Sequence, residues 1–82
     1  MDSRTDQLEQ ELRKLGRDEL ELEQLLQTLR KECRKLGEAG HHDDADAAWA
    51  IIEKTRSTLS ETQALIRTIE ARLYGLRRQQ RQ

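Results

Sequence analysis

At 82 residues and 9.6 kDa the chain is one unit, near the lower limit at which a single hydrophobic core suffices. Charged residues make up 38% and hydrophobic ones 34%, with no proline and no phenylalanine, a composition of coiled coils and long helices that argues against a sheet. A net charge of −1 sets up no global field for nucleic acid, and the longest apolar run, "AAWAII", is far short of the roughly 20 residues a membrane span needs.

The N-terminal stretch "MDSRTDQLEQEL" carries acids and no apolar h-region, so neither a secretory signal nor a transit peptide is expected. A first helix is expected over about residues 3–36, with Ser3 as a candidate cap. Its core residues step by threes and fours: Met1, Thr5, Leu8, Leu12, Leu15, Glu19, Leu22, Leu26, Leu29, Cys33 and Leu36. This is a heptad seam, with Thr5, Leu12, Glu19, Leu26 and Cys33 at position a and the others at d. Two residues interrupt it. Glu19 puts an acid in the seam, and Gly16 either lets a neighbouring helix approach beside Leu65 or marks a break restarted by a capping box of Asp18 and Glu21. The reading adopted is a continuous helix with a local weak point.

A turn is expected over 37–43, within "LGEAGHHDDAD". Gly37 or Gly40 can close the first helix in a left-handed cap, and Asp43 or Asp44 can cap the second. Cys33, His41, His42, Asp43, Asp44 and Asp46 are all ligand types, and His42 and Asp46 share a helical face. Zinc sites, however, use paired Cys or His at short fixed spacings, so no metal or other cofactor is expected. The lone Cys33 has no internal disulfide partner, which fits a reducing compartment.

The second helix is expected over about 44–78, with its own seam of Ala45, Ala48, Ile52, Thr55, Leu59, Thr62, Ile66, Ile69, Leu73 and Leu76. The tail "RLYGLRRQQRQ" has Arg72, Arg77, Arg78 and Arg81 with no acid after Glu70. Such a tail can touch phosphates or anionic lipid, but basic charge at a helix C-terminus followed by a frayed end over 77–82 explains it, and nucleic acid is not an expected partner.

Two seams of matching length joined by a short turn make an antiparallel two-helix coiled-coil hairpin. If Leu36 faces Ala45, the layers are Cys33–Ala48, Leu29–Ile52, Leu26–Thr55, Leu22–Leu59, Glu19–Thr62, Leu15–Ile66, Leu12–Ile69 and Leu8–Leu73. Every a position meets a d position. Glu19 falls beside Thr62, a polar layer that penalises slipped registers and parallel self-pairing. At the flanks, Glu23 comes near Arg56, where a surface ion pair is expected, and Arg30 near Trp49, where a cation–π stack is expected. The rival, one continuous rod in a parallel dimer, would set Glu19 against its own copy and place the glycine-rich turn inside a helix. A chain that orders only on binding is a third reading, against which the unbroken seams argue.

Each helix of such a hairpin buries a single stripe, so the apolar residues outside the seams mark where further packing is expected. Leu25, Ile51 and Leu65 all fall at g positions and form one strip about 20 Å long. Leu20, Trp49 and Tyr74 lie on the opposite side, more scattered. The strip predicts a homodimer packed as a four-helix bundle, or else docking of an amphipathic helix from a client protein. Trp49 reads either as an interface anchor or as a lid over the Ala45–Ala48 end of the seam.

The expected function is a non-enzymatic protein–protein interaction module, an adaptor or assembly protein; the alternative is a small cytoplasmic chaperone or regulator. No nucleophile, base and orienting group converge, and the glycines show neither phosphate-loop nor dinucleotide-binding spacing, so no catalysis is expected. The outline of a small, leucine-rich helix–Gly turn–helix resembles small co-chaperones, including those holding needle subunits in bacterial type III secretion. It is equally similar to adaptor coiled coils and GTPase-binding helical fingers. The likeness is architectural, with no family motif in these residues.

Overall fold

A computed structural model describes residues 3–80 and contains two long helices, α1 (Ser3–Glu38) and α2 (His42–Gln80), folded back on each other. The molecule measures 64 × 14 × 14 Å. Its radius of gyration is 18.5 Å, against about 12 Å for a compact domain of this length. The fold is thus a finger, two helices wide along its whole length.

The hairpin turns on one glycine. Gly40 has φ +83°, the left-handed region that a residue with a Cβ resists. Around it the His41 amide donates to the Leu36 carbonyl at 2.9 Å and the Gly40 amide to that of Gly37 at 3.1 Å. This pair of bonds is a Schellman closure with Gly40 just past the helix end. It decides between the two glycines: Gly37 stays helical and Gly40 makes the turn. The closure delivers the chain directly into α2, whose first helical bond runs from the Ala45 amide to the His41 carbonyl at 2.9 Å. The turn is therefore shorter than 37–43. His41, rather than Asp43 or Asp44, stands at the N-cap, and the two aspartates sit inside the first turn of α2, where the helix dipole favours them.

Both seams face inward. Leu26, Ile52, Ile69 and Leu73 are buried, Ile52 to 1% exposure, and the remaining described seam residues are half-buried or better. Thr55 and Thr62 are buried without stranding their hydroxyls, which donate to the carbonyls of Ile51 (2.8 Å) and Thr58 (3.0 Å) one turn earlier. Thr5, near the open end, is the exception: its hydroxyl is buried with no hydrogen-bond partner.

Contacts across the helices tie the layers at both ends. Near the turn, the Cys33 thiol donates to the Ala45 carbonyl at 3.4 Å. Near the open end, Arg77 donates to Glu9 at 2.9 Å. Between them, Leu22 shares a surface depression with Thr58 and Thr62, Leu15 with Leu65 and Ile69, and Leu8 with Arg72 and Leu76. Those residues of α2 flank Leu59, Ile66 and Leu73 in turn, so the contacts fit layers Leu22–Leu59, Leu15–Ile66 and Leu8–Leu73.

At Gly16 the continuous reading of α1 holds. Helix α1 runs unbroken through Gly16, where an added Cβ would meet nothing within 4 Å, so Gly16 is neither a break nor a point of close approach within the hairpin. The described part of the basic segment is helical through Gln80. Arg77 and Arg78 are helical, Arg77 pairs with Glu9 and Arg78 lies 5.8 Å over the Tyr74 ring. Met1 and Arg81 lie outside the described residues.

Candidate functional site

Because each helix buries only its a and d rows, the rows beside them form the two sides of the finger. One side is built from the g rows. Leu25 in α1, and Ile51 and Leu65 in α2, lie there with 45%, 53% and 53% of their surface exposed. Thr58 occupies the α2 position midway between Ile51 and Leu65, and it lines one depression together with Leu25, Asp18 and Glu21. Three aliphatic side chains, each about half exposed, thus stand at intervals along the g rows. At seven residues per step and 1.5 Å per residue, Ile51 and Leu65 stand about 21 Å apart.

The other side is built from the e rows and is dominated by charge. Here Arg56 bonds Glu53 of its own helix at 3.2 Å, and Glu9 gathers both Arg77 (2.9 Å) and Arg13 (3.9 Å). The expected Glu23–Arg56 pairing gives way to Glu53, one turn away on α2, where residues three apart are neighbours on the helix surface. The cation–π contact likewise joins Arg78 to Tyr74 rather than Arg30 to Trp49. Apart from Glu9, whose side chain is 32% exposed, these groups are largely solvated, and each pair contributes at most about 1 kcal/mol.

Leu20, Trp49 and Tyr74 also lie on the e side and are exposed, Trp49 by 53% and Tyr74 by 65%. Trp49 thus keeps about half of its surface exposed and has the other half covered. The structure therefore brings Leu25, Ile51 and Leu65 onto one side and leaves Leu20, Trp49 and Tyr74 apart from one another.

Glu19 is half-buried and Thr62 is buried. The Thr62 hydroxyl is committed to the Thr58 carbonyl, so its proton is not offered to the Glu19 carboxylate. Any effect of this layer on register comes from the cost of placing Glu19 against leucine in a slipped alignment.

Among the described residues no group of three His, Cys, Asp or Glu side chains is placed to hold a metal ion, and no helix is long and apolar enough to cross a membrane. The depressions between the helices are open furrows rather than enclosed cavities. Compared with known proteins, the chain matches no family model, no curated protein and no solved structure.

Proposed function

We propose that this chain is a non-enzymatic protein–protein interaction module, a helical-hairpin adaptor or assembly protein that pairs with a second copy through the Leu25, Ile51 and Leu65 strip into a four-helix arrangement. The observation that carries this reading is the unspent apolar side of a finger too thin to cover it. The chain exposes 6669 Å² of surface. A globular monomer of its mass would expose about 5100 Å². The excess is larger than the roughly 800 Å² per partner that a stable interface consumes. The lone, partly buried Cys33 supports a reducing, cytoplasmic setting.

Sedimentation across a concentration series tests the pairing. The native chain should sediment as a dimer, and a Leu25→Ser/Ile51→Ser/Leu65→Ser variant as a helical monomer, since none of the three fills the seam. A native chain that stays monomeric at about 100 μM, a concentration at which even micromolar pairing would show, rejects the reading.

A second reading, a small chaperone or regulator that covers a client's amphipathic helix, is favoured by one observation. Trp49, with Leu20 and Tyr74 on its side, stays exposed and off the strip, leaving an aromatic anchor for another partner. Binding of a candidate client helix that is lost with Trp49→Ala, while sedimentation is unchanged, would support it.

A further inference from the structure

The strip does more than supply apolar area, because the two rows of α2 that face outward beside it are chemically symmetric about Thr58. The g row reads Asp44, Ile51, Thr58, Leu65, Arg72, and the neighbouring c row reads Ala47, Lys54, Glu61, Thr68. Reversed end for end, each row meets its own complement: acid on base, aliphatic on aliphatic, threonine on threonine, small on small. We propose that two copies pair through α2 in opposite directions, about a two-fold axis at Thr58, with their turns at opposite ends of the dimer. Ile51 then packs on Leu65 of the second copy, Lys54 stands by Glu61 and Asp44 by Arg72, and the two-fold repeats each pairing. This inference rests on the self-association proposed above and adds its direction and its residues.

Five observations converge on it. Lys54 and Glu61 have no oppositely charged residue three or four positions away on their own helix, and among the described residues neither side chain makes an ion pair. Both are left to be matched from outside. By contrast, the corresponding charges of α1 carry an acid and a base at each end, Glu11 with Lys14 and Glu32 with Lys35, the latter pair already joined at 3.9 Å. These end pairs are indifferent to direction, and Asp18 and Glu21, which line the depression of Leu25 and Thr58, lie at the middle of the strip and are covered in either arrangement, so α2 sets it. Thr58 can be covered at the axis without penalty, because its hydroxyl already donates to the Lys54 carbonyl at 3.1 Å. Leu25 shares the depression of Thr58, which puts it beside the axis and close to its own copy. On the outer flank Ala50, Ser57, Ala64 and Ala71 present nothing bulky to hold two α2 helices apart. The opposite choice, with both turns at one end, lays α1 of one copy over α2 of the other. Leu65 would then meet Lys14 and Asp18, and Ile51 would meet Thr28 and Glu32, removing charge from water for no apolar gain.

Spin labels decide the direction. With Cys33→Ala to remove the native thiol and Ala39→Cys to label the turn, opposite directions place the labels about 50 Å apart, roughly 25 Å either side of the axis at 1.5 Å per residue. A dimer with labels closer than about 25 Å, the separation expected with both turns at one end, overturns the inference and leaves self-association standing. A chain monomeric at every concentration overturns both. Charge reversal gives the independent arm. Lys54→Glu or Glu61→Lys alone should weaken dimerisation roughly tenfold, and the double variant should return it to within about threefold of native, as expected for coupled pairs repeated by a two-fold. Single and double variants of equal affinity would overturn the proposed pairing. All four proteins should be equally helical, because both positions are exposed.

Discussion

Gly16 and Gly40 show how one residue type does opposite work at two points of the same chain. Gly16 lies inside α1 with open space where a Cβ would stand, so it contributes only backbone freedom that folding must remove. Gly16→Ala should stabilise the protein by about 0.5–1 kcal/mol in denaturant unfolding. Gly40 carries the positive φ on which the Schellman closure depends, and Gly40→Ala should cost about 1 kcal/mol or more in the same measurement. Equal effects at the two positions would contradict the assignment of the turn. Ile52 is the most buried side chain, and Ile52→Ala should cost about 2–4 kcal/mol. From the letters alone the two candidate turn glycines, Gly37 and Gly40, looked alike. What separates them is which amide closes on the Leu36 and Gly37 carbonyls, a property of three-dimensional closure.

At the scale of the helices, the unbroken three–four stepping of both seams made the elements and their inner faces legible. Burying one apolar stripe is what chiefly stabilises a helix of this kind, and that stripe has a period that can be counted. The ends were less legible. Helix α1 extends past Leu36 and α2 begins before Asp44, since the closure needs only residues 39–41 between them. Flanking ion pairs were misplaced for a related reason: exposed charges gain so little from a partner across the interface that a partner on the same helix competes on equal terms. Register is the testable quantity here. Leu22→Cys with Leu59→Cys, in a Cys33→Ala background, should form a disulfide within one chain under mild oxidation, read as a compact monomer band on non-reducing gels. Crosslinks solely between chains would indicate a rod or an exchange of helices between copies.

For the whole molecule, the question is which side of the finger is covered. The chain has a single tryptophan, and it sits off the strip. If copies pair through Leu25, Ile51 and Leu65, Trp49 emission should stay near that of a water-exposed indole, and acrylamide should quench it equally above and below the dimerisation midpoint. A blue shift on association, with quenching that falls as the dimer forms, would move the interface to the Trp49 side.

Periodicity, turn chemistry and composition were sufficient to specify two helices, one hairpin and the identity of the leftover apolar residues, because each of these follows from local spacing and from the single stripe that every helix must bury. Only the folded structure decided that Gly40 rather than Gly37 makes the turn, that Trp49 keeps about half of its surface exposed, and that Arg56 takes Glu53 and Arg77 takes Glu9 along the flank. The first depends on which amides close on the last carbonyls of α1, and the others on how exposed side chains settle once the register is set. Each is a choice between alternatives of nearly equal energy, which the spacing of the letters does not separate.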